Sequence, residues 1–283
     1  MSTSAPPPSP VLRQPLKLAC VQLASGADKA ANLARARTKV LEAAAAGARL
    51  VVLPECFNSP TAATSSPLRR ASPPFPAPAD TAPSFHALRA MAADARVYLV
   101  GGSIPELEPA TGRYYNTSLV FGPAGDLLAT HRKVHLFDIN IPGHIVFRES
   151  DVLSPATPSP SSTSPTRHDR RPPRLLRPRL PGAFNLTTGP LHWRLLAQAR
   201  ALDNQFYVAM CSPARDMSAS YHAWGHTLVV DPQAKVLAEA EDAEDIIYSD
   251  LDGGVIDETR RNIPVYTQRR FDVYPDVSNA AVN

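Results

Sequence analysis

A single carboxylate stands out by its position. Glu55 follows the run Leu50 to Leu53 within RLVVLPECF (49–57), which is apolar and rich in β-branched residues. Such a run reads as a strand covered on both faces, and Pro54, which cannot donate to a sheet ladder, ends it. Glu55 is thereby delivered to the carboxyl end of a central strand, the rim on which layered α/β folds place their chemistry. A buried carboxylate without a partner is costly, so a cation or hydrogen-bond donor from elsewhere in the chain is expected beside it.

The other reactive side chains offer less. Cys56 adjoins Glu55, but side chains alternate across a strand, so it is expected to face away from the site. Cys20 and Cys211 fall inside strand patterns and read as core. Ser212 and the SSTS run at 161–164 have no identifiable activating partner. His131/His135 and His222/His226 are each four apart, a spacing that shares one face only in a helix. Both segments read as loop or strand, so no metal is expected. GGSIPE (101–106) lacks the third glycine and the following helix start of a dinucleotide loop, so no cofactor is expected either.

The elements that must position Glu55 follow from periodicity and punctuation. Lys17–Leu23 reads as a first strand. Asp28–Ala46 reads as a helix with Leu33, Val40, Leu41 and Ala44 on one face, stopped by Gly47. Strand, helix, strand in this order argues for a layered α/β fold. A second helix from Ser84 carries Phe85, Leu88 and Met91, and Val97–Gly102 forms the next strand. Asn116–Phe121 and Leu127–His131 flank a Pro/Gly/Asp turn as a hairpin. It leads into HRKVHLFDINIPG, a polar, loop-like stretch carrying Lys133. Beyond residue 181, Thr188 and Pro190 open a helix whose apolar face is read as Leu191, Leu195, Ala199 and Leu202. Strands at Gln205–Cys211 and Asp245–Asp250, a hairpin at 226–240 and a short helix near Gly254–Arg261 complete the body. The tail IPVYTQRRFDVY (263–274) is apolar enough to pack on something, a second subunit being one candidate.

Composition bounds the rest. The chain has 283 residues and a net charge of +3, which gives no reason to invoke nucleic acid or a membrane surface. No apolar run approaches the roughly 18–20 residues of a membrane span, and the N-terminus lacks a signal core. Three cysteines suggest a reducing compartment, hence a cytoplasmic location. Of the 30 prolines, 20 lie in the stretches 1–15, 60–83 and 150–181. The expected organisation is therefore a Pro/Ser-rich tail at 1–15, one domain at 16–275 interrupted at 60–83 and 150–181, and a tail at 276–283.

Several stretches together carry a resemblance. They are LVVLPECFNSP (50–60), GGSIPE (101–106), YNTSLVFGPAGDLLATHRKVHLFDINIPG (115–143) and PGAFNLTTGPLHW (181–193). ALDNQFYVAMCSPARD (201–216), HAWGHTLVVDP (222–232) and IPVYTQRRFDVY extend it. In this order the chain resembles the nitrilase, or carbon–nitrogen hydrolase, superfamily, and within it the omega-amidase branch. The resemblance implies an α–β–β–α sandwich packed sheet to sheet against another subunit, a homodimer if the chain folds. It also implies a Glu–Lys–Cys site that hydrolyses the terminal amide of short dicarboxylate monoamides, such as 2-oxoglutaramate, through a thioester. On this pattern Glu55 matches the general base, Lys133 the lysine that balances charge and donates to the tetrahedral intermediate, and Glu149 an accessory glutamate. The residue types suit the task. A resonance-stabilised amide needs an activated nucleophile and a stabilised oxyanion.

One member of that site has no match. Family members carry the nucleophilic Cys on a strand–turn–helix–strand unit between FRES and PGAF. Here 150–181 has no cysteine, eight prolines and six arginines, and its charge of +4 leaves the remainder of the chain at −1. Such composition is not expected to form a buried strand, so this unit is expected to be missing or disordered. A wrong reading frame or mis-joined exon would give this signature. A genuine replacement, making a non-catalytic pseudoenzyme subunit, would give it too. Loss of the unit would leave sheet edges unpaired, so failure to fold stably is a third alternative. Thr61 and an Ala/Ser/Pro run follow NSP where omega-amidases carry an aromatic-bearing loop, which bears on substrate choice.

Overall fold

The computed structural model describes residues 14–59, 78, 80–142, 145–156, 179–270 and 273. Strand β1 (Leu16–Gln22) pairs in parallel with β2 (Leu50–Val52), and β2 with β3 (Tyr98–Val100). Helix α1 (Lys29–Ala45) joins the first two strands, and α2 (Pro83–Ala95) precedes β3. Asp28 caps α1 by accepting from the Ala30 and Ala31 N–H groups, satisfying donors that a helix start leaves open. The face α1 buries is Asn32, Ala36, Val40 and Ala43, about one residue round from the expected one. Asn32 explains the offset, since its side chain is tied reciprocally to the backbone of Gly26.

Four antiparallel strands widen this sheet. β4 (Ile104–Glu108) and β6 (Leu127–Arg132) both pair with the long β5 (Arg113–Phe121), and β13 (Asp245–Leu251) pairs with β1 at the far edge. A second sheet runs β12 (Val236–Glu239), β11 (Leu228–Val230), β10 (Val208–Cys211), β9 (Arg179–Pro181). Helix α3 (Gly189–Asn204) packs on it, and α4 (Gly253–Asn262) and α5 (Val265–Gln268) follow β13.

Alternation along the strands makes the layers. Ala19, Val21 and Val51 face α1 and α2, whereas Leu18, Cys20, Leu50 and Val52 face Ala209 and Cys211 of the second sheet. Val208 and Met210 point the other way, onto Trp193, Ala197 and Ala201 of α3. The result is helix, sheet, sheet, helix, as the period of two along buried strands requires. The expected α–β–β–α sandwich is the observed architecture. The expectation that the nucleophile unit is missing or disordered falls largely on 157–178, outside the described residues, as does most of the 60–83 stretch.

Three local expectations are corrected. The stretch read as loop after Lys133 contains a ribbon, β7 (Asp138–Ile141) against β8 (Ile145–Arg148). The proline-rich interval ends in a strand, since β9 pairs in parallel with Ala209–Cys211 at the end of that sheet among the described residues. Helix α3 turns the opposite face to the core. Trp193, Ala197 and Ala201 are buried, while Leu191, Leu195 and Leu202 are exposed. Its first turn is tied by Asn185, which accepts from the Thr187 and Thr188 N–H groups, rather than by the Thr188 side chain.

Candidate active site

Glu55 lies past the end of β2, in a turn rather than on the strand. Pro54 and the 101–103 turn fix that position. Gly102 has φ +58°, and a Cβ on it would sit 2.0 Å from the Pro54 carbonyl oxygen, so only glycine allows the approach. Ser103 donates its N–H to that carbonyl at 3.3 Å, and its Oγ accepts from the Cys56 N–H at 3.1 Å.

The partners expected for Glu55 are present. Its Oε1 accepts from Asn116 Nδ2 at 2.7 Å and from Lys133 Nζ at 3.1 Å, and its Oε2 from the Ala183 N–H at 2.8 Å. Lys133 reaches both oxygens of Glu149, at 2.9 and 2.8 Å, and the Phe137 N–H donates to Glu149 at 2.8 Å. The chain thus brings together Glu55, Lys133 and Glu149, although 78 residues separate the first two. Strand β5 delivers Asn116. The Lys133 N–H donates to the Asn116 carbonyl at 2.8 Å, so one ladder sets both side chains. Burial works against the Lys133 charge, but Glu55 and Glu149 outweigh it and hold the ammonium well above the usual lysine range. A carboxylate held this way can take a proton from a nucleophile or a water. An ammonium beside it can donate to an oxygen that gains negative charge.

Cys56 lies in the turn beyond β2, so strand alternation does not govern it. Past Pro54 the backbone turns, Cys56 adopts φ +50°, and its thiol feels the charges of Glu55, Lys133 and Glu149. Burial and the Glu55 carboxylate push that thiol up to about 12, with Lys133 opposing them only in part. Cys20 and Cys211 are buried in the core between the sheets. At pH 8 a thiol this weak is ionised to roughly one part in ten thousand. Native Cys56 should therefore label with a disulfide reagent roughly a thousandfold more slowly than a free cysteine. Rapid labelling of one thiol per native chain, mapped to Cys56, would show the thiol to be activated.

Asn116, the Ala183 N–H and Tyr221 are the site groups that sequence reasoning missed. A backbone donor carries no side-chain signature, and the only signal for Asn116 and Ala183 was their presence in YNTS and PGAF. Tyr221 has its hydroxyl on the Ala183 carbonyl, and its acidity is weakened by burial and then by Glu55 and Glu149. Among the described residues no three His, Cys, Asp or Glu side chains gather as a metal site.

A carbon–nitrogen hydrolase family model matches residues 17–261, which takes in every one of these groups. The chain belongs to the carbon–nitrogen hydrolase family. Its relatives in that family include the omega-amidase NIT3 of Saccharomyces cerevisiae, 47% identical over 95% of this chain and 98% of that one. The human omega-amidase NIT2 is 46% identical over 91% of this chain and 96% of its own length. The crystal structure of yeast Nit3, a member of branch 10 of the nitrilase superfamily, superposes with a TM-score of 0.79 at 41% identity. That match covers 93% of this chain and 99% of the yeast one. For this carbon–nitrogen hydrolase, no helix among the described residues is long and apolar enough to cross a membrane.

Proposed function

We propose that the chain is an omega-amidase-type carbon–nitrogen hydrolase that binds short dicarboxylate monoamides such as 2-oxoglutaramate but lacks the nucleophile to turn them over. In this reading Glu55 is the general base, Lys133 the donor to the oxyanion and Glu149 the group that orients Lys133. The carrying observation is that Lys133 Nζ ties Glu55 at 3.1 Å to Glu149 at 2.9 and 2.8 Å, which assembles the trio. The Cys56 thiol is pushed up to about 12, Tyr221 is raised, and Lys133 is held as an ammonium by two carboxylates. The segment 150–181, where the resemblance calls for the thiol, holds no cysteine. Three cysteines in a chain of this length fit a reducing cytoplasm. Ammonia release and calorimetric binding, measured side by side with 2-oxoglutaramate, test the two halves. Robust release that Glu55→Gln abolishes would overturn the missing nucleophile. Absence of binding would overturn the substrate class.

A second reading, a non-catalytic subunit that assembles with an active homologue, is favoured by α3. Leu191, Leu195 and Leu202 are 65, 64 and 55% exposed. At 3.6 residues per turn they fall within an arc of about 40°, opposite Trp193, Ala197 and Ala201. An exposed apolar face of this kind is what a partner chain would cover. Leu195→Glu is expected to convert a dimer to a monomer in sedimentation without changing the circular dichroism. A wild-type protein that sediments as a monomer would count against this reading.

A further inference from the structure

Tyr221 lies in the loop between β10 and β11, and its two ends touch different arms of the site. Its hydroxyl donates to the carbonyl of Ala183, whose own N–H donates to Glu55 Oε2 at 2.8 Å. Its ring lies 5.7 Å from Phe147, which lies 5.9 Å from Phe137, whose N–H donates to Glu149 at 2.8 Å. One side chain therefore braces the backbone donor of each carboxylate.

The loop that carries it is held firmly. Arg215 pairs with Asp242 at 2.7 Å and donates to the carbonyls of Ala223 and Trp224 at 3.3 and 2.7 Å. The Trp224 N–H donates to the Phe184 carbonyl at 2.7 Å, and Ala223 bridges Asn185. Trp224 packs so closely on the start of α3 that a Cβ at Gly189 would meet it at 2.3 Å. The loop thus runs beside 183–185 on three bonded points, of which the Tyr221 hydroxyl is the one nearest Glu55.

We propose that Tyr221 is a positioning residue for both carboxylates, its hydroxyl fixing the Ala183 N–H on Glu55 and its ring fixing the Phe137 N–H on Glu149. The inference rests on the reading of Glu55, Lys133 and Glu149 as the site and deepens it. It assigns to a loop tyrosine the task of keeping two acceptors aimed at one ammonium. A carboxylate that loses a backbone donor rotates more freely, and orientation is what a base contributes beyond its charge.

Residue-resolved amide hydrogen exchange on the full chain tests this without any turnover, so its outcome is separate from that of the substrate assays. Tyr221→Phe keeps the ring and removes one hydrogen bond. It should speed exchange at Ala183 about tenfold while leaving Phe137 unchanged. Tyr221→Leu removes the ring as well and should speed exchange at both amides. Unchanged exchange at Ala183 in Tyr221→Phe overturns the proposal. So does acceleration spread evenly through the chain, which would mark a merely structural tyrosine. If Tyr221→Leu fails to fold, the contrast between Ala183 and Phe137 in Tyr221→Phe decides alone.

Discussion

Purified protein given 2-oxoglutaramate is expected to release ammonia on the order of a million-fold more slowly than an enzyme carrying the thiol. That is the usual consequence of deleting a catalytic nucleophile while its neighbours remain. Glu55 can accept a proton and Lys133 can donate to an oxyanion, but neither attacks a carbonyl. The hydroxyl and thiol beside them hold their protons, since burial and two carboxylates disfavour any further negative charge. Glu55→Gln should leave the residual rate almost unchanged, because a base has little left to activate. A large drop on that substitution would reveal a nucleophile at work. The coding region for residues 150–182 offers a parallel check. If the other reading frames or adjoining introns encode a strand followed by Cys and an Asp-x-Arg-Phe-Pro-Glu run, the gene specifies an active amidase. If they do not, the pseudoenzyme reading gains.

Arg132→Ala is expected to destabilise the fold by about 3–5 kcal/mol, read as a lower urea midpoint at unchanged slope. Arg132 reaches Glu106 at 2.6 and 3.1 Å and Glu108 at 2.9 Å, and its guanidinium stacks 4.0 Å from the Tyr115 ring. Glu106 is only 2% exposed, so removing the arginine leaves a buried carboxylate with its Thr117 hydroxyl donor but without its cation. Glu106→Ala should cost less, since Arg132 keeps Glu108 and some solvent. Replacing Glu106 and Arg132 together by Leu and Met should recover most of the loss. This ion cluster sits one residue from Lys133 along β6, while Tyr115 and Thr117 flank Asn116 on β5. The polar network on one face of the hairpin thereby pins the register that presents Asn116 and Lys133 on the other. Lys133 itself adds no pH dependence near neutrality. Its folded value is raised, so its contribution is fully present below about pH 10 and is lost only as pH rises through that higher value.

Much of the sandwich was legible because its strands obey simple rules. LVVL ending at a proline, KLACVQL and the hairpin around Pro123–Asp126 carry their period and punctuation in the side chains. The β7–β8 ribbon was missed because each arm is four residues long, too short for a period to register. Helix α3 was turned the wrong way for a different reason. Both of its faces are apolar, and three leucines outweigh a tryptophan and two alanines on any hydrophobicity count. What decides is packing, since Ala197 and Ala201 let α3 approach Val208 and Met210 closely.

The same division holds at the site. The sequence by itself determined the family, the Glu–Lys–Glu set and the absence of a cysteine from 150–181, because these are matters of residue type and order. Only the tertiary structure decided what surrounds Glu55. Asn116 comes from the hairpin that also brings Lys133, the Ala183 N–H comes from a stretch far beyond it, and backbone donors leave no mark in a sequence. Cys56 shows the limit most clearly. The rule of alternating faces holds while the chain stays extended, and past Pro54 it turns, with Cys56 at φ +50°, so the rule no longer applies there.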